Sequence, residues 1–179
     1  MKITDVTITT LDLGPLETPF WNAIIRTTHR GASRVAITTD EGVIGLAPGG
    51  GGGASRATIL GPIRHKLLGE DPLRIGYLWD KMYMGGTRKP VAKGDYIASM
   101  GMVDNALWDL AGKALDQPVW KLIGGTQDRV QAYAAGGYYA EGKGLPELCA
   151  EMERYVRAGF RAVKMKVGWP GVTLKHDAE

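Results

Sequence analysis

The sequence contains little that would place the protein outside the cytoplasm or in a membrane. Cys149 is its only cysteine, so no disulfide can form within the chain. No stretch approaches the roughly 20 consecutive apolar residues that cross a bilayer. The first residues also lack the apolar region of a secretion signal. We therefore expect a cytoplasmic protein with no membrane partner.

Runs of basic residues are absent as well. The 22 Lys and Arg against 19 Asp and Glu give a net charge of +3, and the basic residues are scattered without interleaved aromatic residues. This pattern gives no indication of a nucleic-acid partner. An apolar content of 44% and a charged content of 23% are ordinary for a globular protein.

Alternating apolar and polar residues predict strands at the start of the chain. The predicted strands cover residues 3–13, 23–30, 34–39 and 43–46. Helices are predicted at 73–84, after the start signal Asp71-Pro72, and at 95–116, where Asp109 is interpreted as a solvated charge. Pro62 is expected to end or restart a helix. The run of glycines at 49–53 predicts a flexible loop, because glycine leaves the backbone the most freedom.

After residue 125 the pattern changes to a strand at 130–135, a helix at 146–158 and a strand at 162–167, which form one βαβ unit. Pro146 and Glu147 in the first turn and Gly159 past the end support the helix. Its expected apolar stripe consists of Leu148, Met152, Tyr155 and Val156. We predict an α+β domain over residues 1–125, followed by the opening of an α/β barrel over residues 126–179. A barrel typically needs about 250 residues, so it is incomplete in this chain.

Two lysines stand on alternate residues of the last predicted strand. Lys164 and Lys166 are expected to project from one face, about 7 Å apart, and each ammonium group disfavours a positive charge on the other. One interpretation is a strand with a solvated face. However, parallel strands are normally covered on both faces, and barrel active sites lie at the C-terminal ends of strands. This placement favours a base and an electrostatic helper.

Three segments carry a family resemblance. Residues 159–168 contain the Lys-x-Lys pair, residues 106–113 with 118–125 form a second match, and residues 67–72 leading to Leu78 and Trp79 form a third. Together, and in order along essentially the whole chain, they resemble the mandelate racemase/muconate lactonizing enzyme family of the enolase superfamily. The first match is similar to that family's second barrel strand and the second to its final capping-domain helix.

The resemblance implies a capping domain joined to a TIM-like, modified (β/α)₇β barrel, and a Mg²⁺-dependent enzyme that removes the α-proton of a carboxylate substrate. By position, Lys166 would be the base and Lys164 would contact the substrate carboxylate. The family's three acidic metal ligands come from later barrel strands, so we expect them C-terminal to this chain and expect the chain alone to be inactive. Asp177 and Glu179 are interpreted as solvated helix residues, not as ligands.

The resemblance also implies that two capping-domain loops close over the site. One is the glycine run and the other covers residues 16–28. Phe20 and Trp21 in the second loop would contact substrate and exclude water, the alternative being that they pack inside the capping domain. Tyr138, which follows the first barrel strand, is expected to line the mouth of the site. The full-length protein is expected to be a homo-oligomer acting on a small-molecule carboxylate.

Three functions stay open on the sequence alone. The first is an acid-sugar dehydratase or racemase. The second is a cycloisomerase or dipeptide epimerase of the same superfamily that uses the same lysines. The third is a non-catalytic capping or interaction module. The residues that separate these enzymes from one another are largely absent from this sequence, and a fold does not name a substrate.

Overall fold

The structure, a computed structural model, describes residues 1–49, 53–84 and 94–168. The chain divides into two compact units. The first unit consists of Met1–Asp12 and Gly31–Asp128, and the second of Leu13–Arg30 and Arg129–Glu179. Most of the predicted glycine loop, and both Asp177 and Glu179, lie outside the described residues. The domain limits of 1–125 and 126–179 stay a prediction.

The strands are β1 (Ile3–Trp21), β2 (Arg26–Thr39), β3 (Ile44–Gly49), β4 (Ala134–Ala135), β5 (Tyr139–Ala140) and β6 (Val163–Lys164). One sheet has the strand order β3-β2-β1-β5, in which β2 pairs antiparallel with β3 and β1 with β5. The second sheet pairs β4 with β6 in parallel. The antiparallel sheet belongs to an α+β domain, and the parallel pair belongs to the first βαβ unit of a barrel. This is the predicted fold class.

The strand β1 is longer than the local pattern predicts. It continues to Trp21, with β2 as its neighbour on one side. On the other side Phe20 pairs with Ala140 and Trp21 with Tyr139, which lie far along the chain. The predicted strand at 23–30 starts too early, since a turn follows β1. In that turn the Asn22 side chain accepts hydrogen bonds from the N–H groups of Ile24 and Ile25, both at 2.8 Å.

The helices are α1 (Gly53–Thr58), α2 (Arg64–Leu67), α3 (Ile75–Met84), α4 (Asp95–Ala114), α5 (Val119–Leu122) and α6 (Leu145–Arg157). A π-helical turn at Ile59–Ile63 joins α1 to α2, and its kink at Gly61 confirms the interruption expected at Pro62. The helix α3 begins later than predicted. Asp71 accepts a hydrogen bond from the N–H of Leu73 at 3.0 Å, so it closes a separate turn and does not cap the helix.

The first unit packs its sheet against α4. Side chains buried in this core include Ile3, Val6, Ile37, Leu78, Leu107 and Leu110, and burial of each stabilises the fold by about 1.5–3 kcal/mol. The carboxylate of Asp109 accepts hydrogen bonds from the N–H of Leu46 at 2.7 Å and from Lys113 at 2.6 Å. Asp109 therefore joins α4 to β3, contrary to its interpretation as a solvated charge.

The second unit contains the βαβ segment. At the start of α6, the Glu147 carboxylate accepts a hydrogen bond from the N–H of Gly144 at 2.9 Å. At its end, Gly159 has φ +92° and Phe160 N–H donates to the carbonyl of Tyr155 at 3.1 Å, which is a Schellman motif. Both signals were predicted. Val156, however, is 63% exposed and does not belong to a buried stripe.

The strands β4 and β6 have two residues each, whereas six were predicted for both. In the described residues they form a two-stranded sheet, and a strand pair alone is marginally stable. No helix within the described ranges is long and apolar enough to span a membrane.

Candidate active site

The two predicted catalytic lysines lie at the end of β6. Lys164 is the last residue of the strand and is exposed, whereas Lys166 is half-buried and lies two residues past it. The prediction that one strand carries both side chains is therefore wrong for Lys166. The apolar residues that alternate with the lysines are also exposed, Met165 by 45% and Val167 by 79%.

Three of the five predicted site residues contact one another. The Lys166 ammonium group lies 4.7 Å from the centre of the Tyr138 ring, a cation–π contact. Phe20 meets the same ring edge-on, with ring centres 5.0 Å apart and planes at 70°. The tip of the β1–β2 hairpin, the turn after β4 and the segment after β6 therefore meet within the second unit.

The other two residues take different positions. Trp21 is half-buried, pairs through its backbone with Tyr139 and has the Arg26 guanidinium group 5.4 Å from its ring centre. Lys164 contributes its carbonyl, which accepts a hydrogen bond from the N–H of Gly136 at 2.9 Å. The contacts seen for Trp21 and Lys164 are thus with Tyr139, Arg26 and Gly136, and not with the cluster of Phe20, Tyr138 and Lys166.

A cavity of about 260 Å³ opens beside this cluster. It is lined by Gly137, Tyr138, Tyr139, Lys143, Gly144, Leu145, Leu148 and Lys166. Two lysines, two tyrosines and two leucines therefore line one space. Such a lining suits a small anion that has an apolar or hydroxylated body, because a cation fixes the charged end and the aromatic and aliphatic side chains cover the remainder.

Gly136 and Gly137 shape the turn between β4 and Tyr138. A Cβ on Gly136 would lie 2.3 Å from the Tyr155 hydroxyl, and a Cβ on Gly137 would lie 2.7 Å from the Cβ of Met165. Gly137 also has φ +66°, a conformation that favours glycine. The two glycines therefore allow the turn to approach both α6 and the segment after β6.

Sequence reasoning missed Glu151, which is buried beneath this turn with 9% exposure. Its carboxylate accepts hydrogen bonds from the N–H of Gly137 at 3.1 Å, from the Tyr155 hydroxyl at 2.8 Å and from the ammonium group of Lys143. Lys143 also donates to the carbonyl of Tyr138 at 2.7 Å. The signal was available, because Glu151 stands three residues after Leu148 and four before Tyr155, on the predicted apolar stripe.

The electrostatics of this network follow from its contacts. Burial alone raises the pKa of Glu151, but the hydrogen bonds from Lys143, Gly137 and Tyr155 outweigh it and hold the pKa below its usual range. The hydrogen bond to Glu151, with partial burial, raises the pKa of Tyr155. Glu151 is therefore ionised at neutral pH and paired with a charged lysine.

Metal ligands are not gathered in this region. Across residues 1–49, 53–84 and 94–168 there is no group of three or more His, Cys, Asp or Glu side chains that could hold a metal ion. The carboxylate of Glu151, beneath the turn that carries Tyr138, already accepts hydrogen bonds from three donors. The described part of the chain therefore offers cations and aromatic surface, and not a metal centre.

Comparison with known proteins places these features in context. Residues 4–124 match the family described as mandelate racemase / muconate lactonizing enzyme, N-terminal domain. Arabinonate dehydratase from Saccharolobus solfataricus is 42% identical over 146 residues, which are 80% of this chain and 38% of that protein. The 3,6-anhydro-alpha-L-galactonate cycloisomerase from Streptomyces coelicolor is 39% identical, over 72% of this chain and 34% of that protein. The chain spans little more than a third of the length of these relatives.

Solved structures agree with the sequence comparison. A member of the enolase superfamily from Polaromonas sp. JS666 superposes with a TM-score of 0.82 at 27% identity, over 94% of this chain and 45% of that chain. The 3,6-anhydro-D-galactonate cycloisomerase from Zobellia galactanivorans gives a TM-score of 0.74 at 31% identity, over 93% of this chain and 43% of that chain. The similarity extends through both units.

Proposed function

Because the chain belongs to the mandelate racemase/muconate lactonizing enzyme family, we propose that it provides the proton-abstracting lysines of an enzyme acting on a carboxylate substrate. The preferred reaction is dehydration of an acid sugar, since arabinonate dehydratase is among its relatives. The observation that carries the proposal is the half-buried Lys166, whose ammonium group lies 4.7 Å from the Tyr138 ring centre at a cavity of about 260 Å³.

Lys166 is the proposed base. In its neutral form its Nζ takes the α-proton, and the electron pair of the broken C–H bond is delocalised into the substrate carboxylate. The nitrogen becomes an ammonium group in this step. The face of the Tyr138 ring attracts that cation, so the contact holds the side chain in place once it is charged. In a dehydration, the delocalised electron pair then returns to expel the hydroxyl of the neighbouring carbon, which takes up a proton from solvent and leaves as water.

Lys164 has the proposed role of contacting the substrate carboxylate. Its ammonium group would stabilise the negative charge that grows on the carboxylate as the proton leaves.

Phe20 and Trp21 are proposed to bound the substrate. Phe20 packs edge-on against Tyr138, which supports a role at the cavity in preference to burial in the first unit. Both aromatic side chains would exclude water from the reacting carbon, which strengthens the electrostatic interactions of the two lysines.

Mg²⁺ is the cofactor that we propose for the whole enzyme, since enolase-superfamily enzymes are generally metal-dependent. Bound near the carboxylate, it would supply positive charge. We propose that its ligands lie outside the described residues, among which no group of three or more His, Cys, Asp or Glu side chains could hold a metal ion. We also propose a cytoplasmic homo-oligomer, with residues 1–125 as capping domain and 126–179 as the opening of the barrel.

Cycloisomerisation is a second candidate, favoured by one observation. Two of the similar proteins, from Streptomyces coelicolor and Zobellia galactanivorans, are anhydrogalactonate cycloisomerases. Such a reaction also moves protons at a sugar acid, so the two candidates share the lysines and differ in the fate of the substrate.

The test is α-proton exchange. The protein that carries this chain is incubated with a panel of sugar acids and Mg²⁺ in deuterated water, and both deuterium at the α-carbon and the products are measured by NMR and mass spectrometry. We expect Lys166→Ala to abolish exchange, while Lys121→Ala, at an exposed lysine beside Trp120, leaves it unchanged. Full exchange in Lys166→Ala would remove the assignment of the base. No exchange by the wild type on any carboxylate would favour the non-catalytic module.

A further inference from the structure

We propose that Glu151 and Lys143 are positioning residues for this site: their buried ion pair fixes the turn at 136–138 and so holds the Tyr138 ring against Lys166. The inference rests on the proposed function for its catalytic consequence. Its structural part concerns contacts within the second unit and can be measured without a substrate.

The carboxylate of Glu151 is committed to the turn. Its Oε1 accepts from the N–H of Gly137 at 3.1 Å and from the Tyr155 hydroxyl at 2.8 Å, and its Oε2 accepts from the ammonium group of Lys143. A buried carboxylate that merely anchored a helix would need only enough donors to offset its desolvation. Here a donor comes from the helix itself, one from the turn and one from the segment that follows the turn.

Lys143 completes the connection to Tyr138. Its side chain is 21% exposed, and its ammonium group donates both to Glu151 and to the carbonyl of Tyr138 at 2.7 Å. The same residue lines the cavity together with Lys166. The pair therefore holds the backbone on both sides of the Tyr138 Cα, through the N–H of Gly137 and the carbonyl of Tyr138.

The turn requires such a brace because of its composition. Gly136 and Gly137 lack side chains that would limit the backbone, so the unbraced turn would sample many conformations. At Gly136, a Cβ would lie 2.5 Å from Oε1 of Glu151, so the missing side chain is what admits the carboxylate. The glycines and the carboxylate are complementary. The glycines leave space for the Glu151 carboxylate, and the ion pair restricts the backbone conformation that the glycines leave free.

The position of the Tyr138 ring determines the surroundings of Lys166. With the ring displaced, the ammonium group would lose its 4.7 Å contact and Phe20 would lose its edge-on partner. A displacement of about 1 Å at a reacting group can lower a rate by about 100-fold. Neither Glu151 nor Lys143 needs to touch the substrate for this effect.

The experiment compares Glu151→Gln and Lys143→Met with Glu153→Gln in the protein that carries this chain. Glu153 lies on the same helix, is exposed and pairs with Arg157, so its variant removes the same charge without touching the turn. Lysine acylation by acetic anhydride is quantified by mass spectrometry at Lys166, with Lys113 of the first unit as the internal reference. Kinetic constants for α-proton exchange are measured in parallel.

We expect Lys166 to be acylated several-fold faster relative to Lys113 in Glu151→Gln and Lys143→Met, and unchanged in Glu153→Gln. In the same two variants we expect kcat to fall by roughly 10- to 100-fold with a smaller change in KM. Lys143→Arg, which keeps both hydrogen-bond donations, should retain most of the activity that Lys143→Met loses. If Glu151→Gln unfolds, Lys113 becomes reactive as well. Lys143→Met then provides the test, because Glu151 keeps two of its three hydrogen-bond donors in that variant.

Unchanged acylation of Lys166 in Lys143→Met would overturn the proposal, as would equal losses of activity in Glu153→Gln. If the wild type exchanges no α-proton but both turn variants release Lys166, the positioning stands and the proposed function fails. The two conclusions are thus separated by the substrate-free measurement.

Discussion

The backbone of β3 approaches α4 closely at Gly45, and this contact allows a quantitative prediction for Gly45→Ala. A Cβ there would lie 2.1 Å from the carbonyl oxygen of Ala106 and 2.6 Å from the Cβ of Leu110. Both are atoms of or next to the helix backbone, so neither can rotate away. The strand and helix must separate by about 1 Å to reach ordinary van der Waals contact, and overpacking of a core typically costs about 1–3 kcal/mol.

The separation would also disturb polar contacts. The N–H of Leu46 donates to Asp109 at 2.7 Å, and Lys113 donates to the carbonyl of Ile44 at 2.9 Å. Adding the loss of one such hydrogen bond, about 1 kcal/mol, to the overpacking cost gives an expected destabilisation of roughly 2–4 kcal/mol.

Urea unfolding followed by circular dichroism measures this change, and Gly101→Ala is the matched control. Gly101 lies inside α4 and a Cβ there meets nothing within 4 Å. The same substitution at that position should therefore stabilise the fold by about 0.5–1 kcal/mol through helix propensity. A Gly45→Ala protein as stable as wild type would refute the close approach of β3 and α4.

Three further outcomes are expected. The pKa of Glu151 is below its usual range, so the ionised carboxylate stabilises the fold above its unfolded pKa of about 4.3, and this stabilisation is lost as the pH falls. The difference in the free energy of unfolding between wild type and Glu151→Gln, measured by urea titration, should therefore become smaller below about pH 4. Burial raises the pKa of Asp104, so the folded state prefers its neutral form; Asp104→Asn should be more stable than wild type at pH 7, and the difference should disappear in acid. Tyr138→Phe keeps the ring face over Lys166 and should leave its acylation rate unchanged, whereas Tyr138→Leu should raise it.

The helices that local signals define were predictable. The helix α4 carries apolar residues at helical spacing, and Met100, Val103, Leu107 and Leu110 are buried as that spacing requires. In the helix α6, Glu147 caps the N–H of Gly144 at the start, and Gly159 lies two residues past the last helical residue. In both cases the stabilising partners lie within a few residues along the chain, so periodicity and capping residues contain the needed information.

Features that depend on distant partners were not predictable. The strand β1 extends to Trp21, where β5 pairs with its end, and no residue near Trp21 indicates that distant partner. The strands β4 and β6 are short because in the described residues each pairs with the other alone. For the same reason Lys166 lies beyond its strand, and alternation within a strand could not have placed it against Tyr138.

The two carboxylates that sequence reasoning undervalued share one property. Asp109 occupies the side of α4 that faces β3, and Glu151 occupies the side of α6 that faces the turn after β4. Each stands three residues after an apolar residue of the same helix, Ala106 for Asp109 and Leu148 for Glu151. An ionised group on such a side must find donors, because burial without them costs several kcal/mol. The donors available there are backbone N–H groups of the neighbouring segment, Leu46 in one unit and Gly137 in the other, together with one lysine each. A carboxylate on the packed side of a helix therefore indicates where the helix holds a neighbouring segment, which is the strand β3 in the first unit and the turn after β4 in the second. In the second unit that turn carries Tyr138 to Lys166.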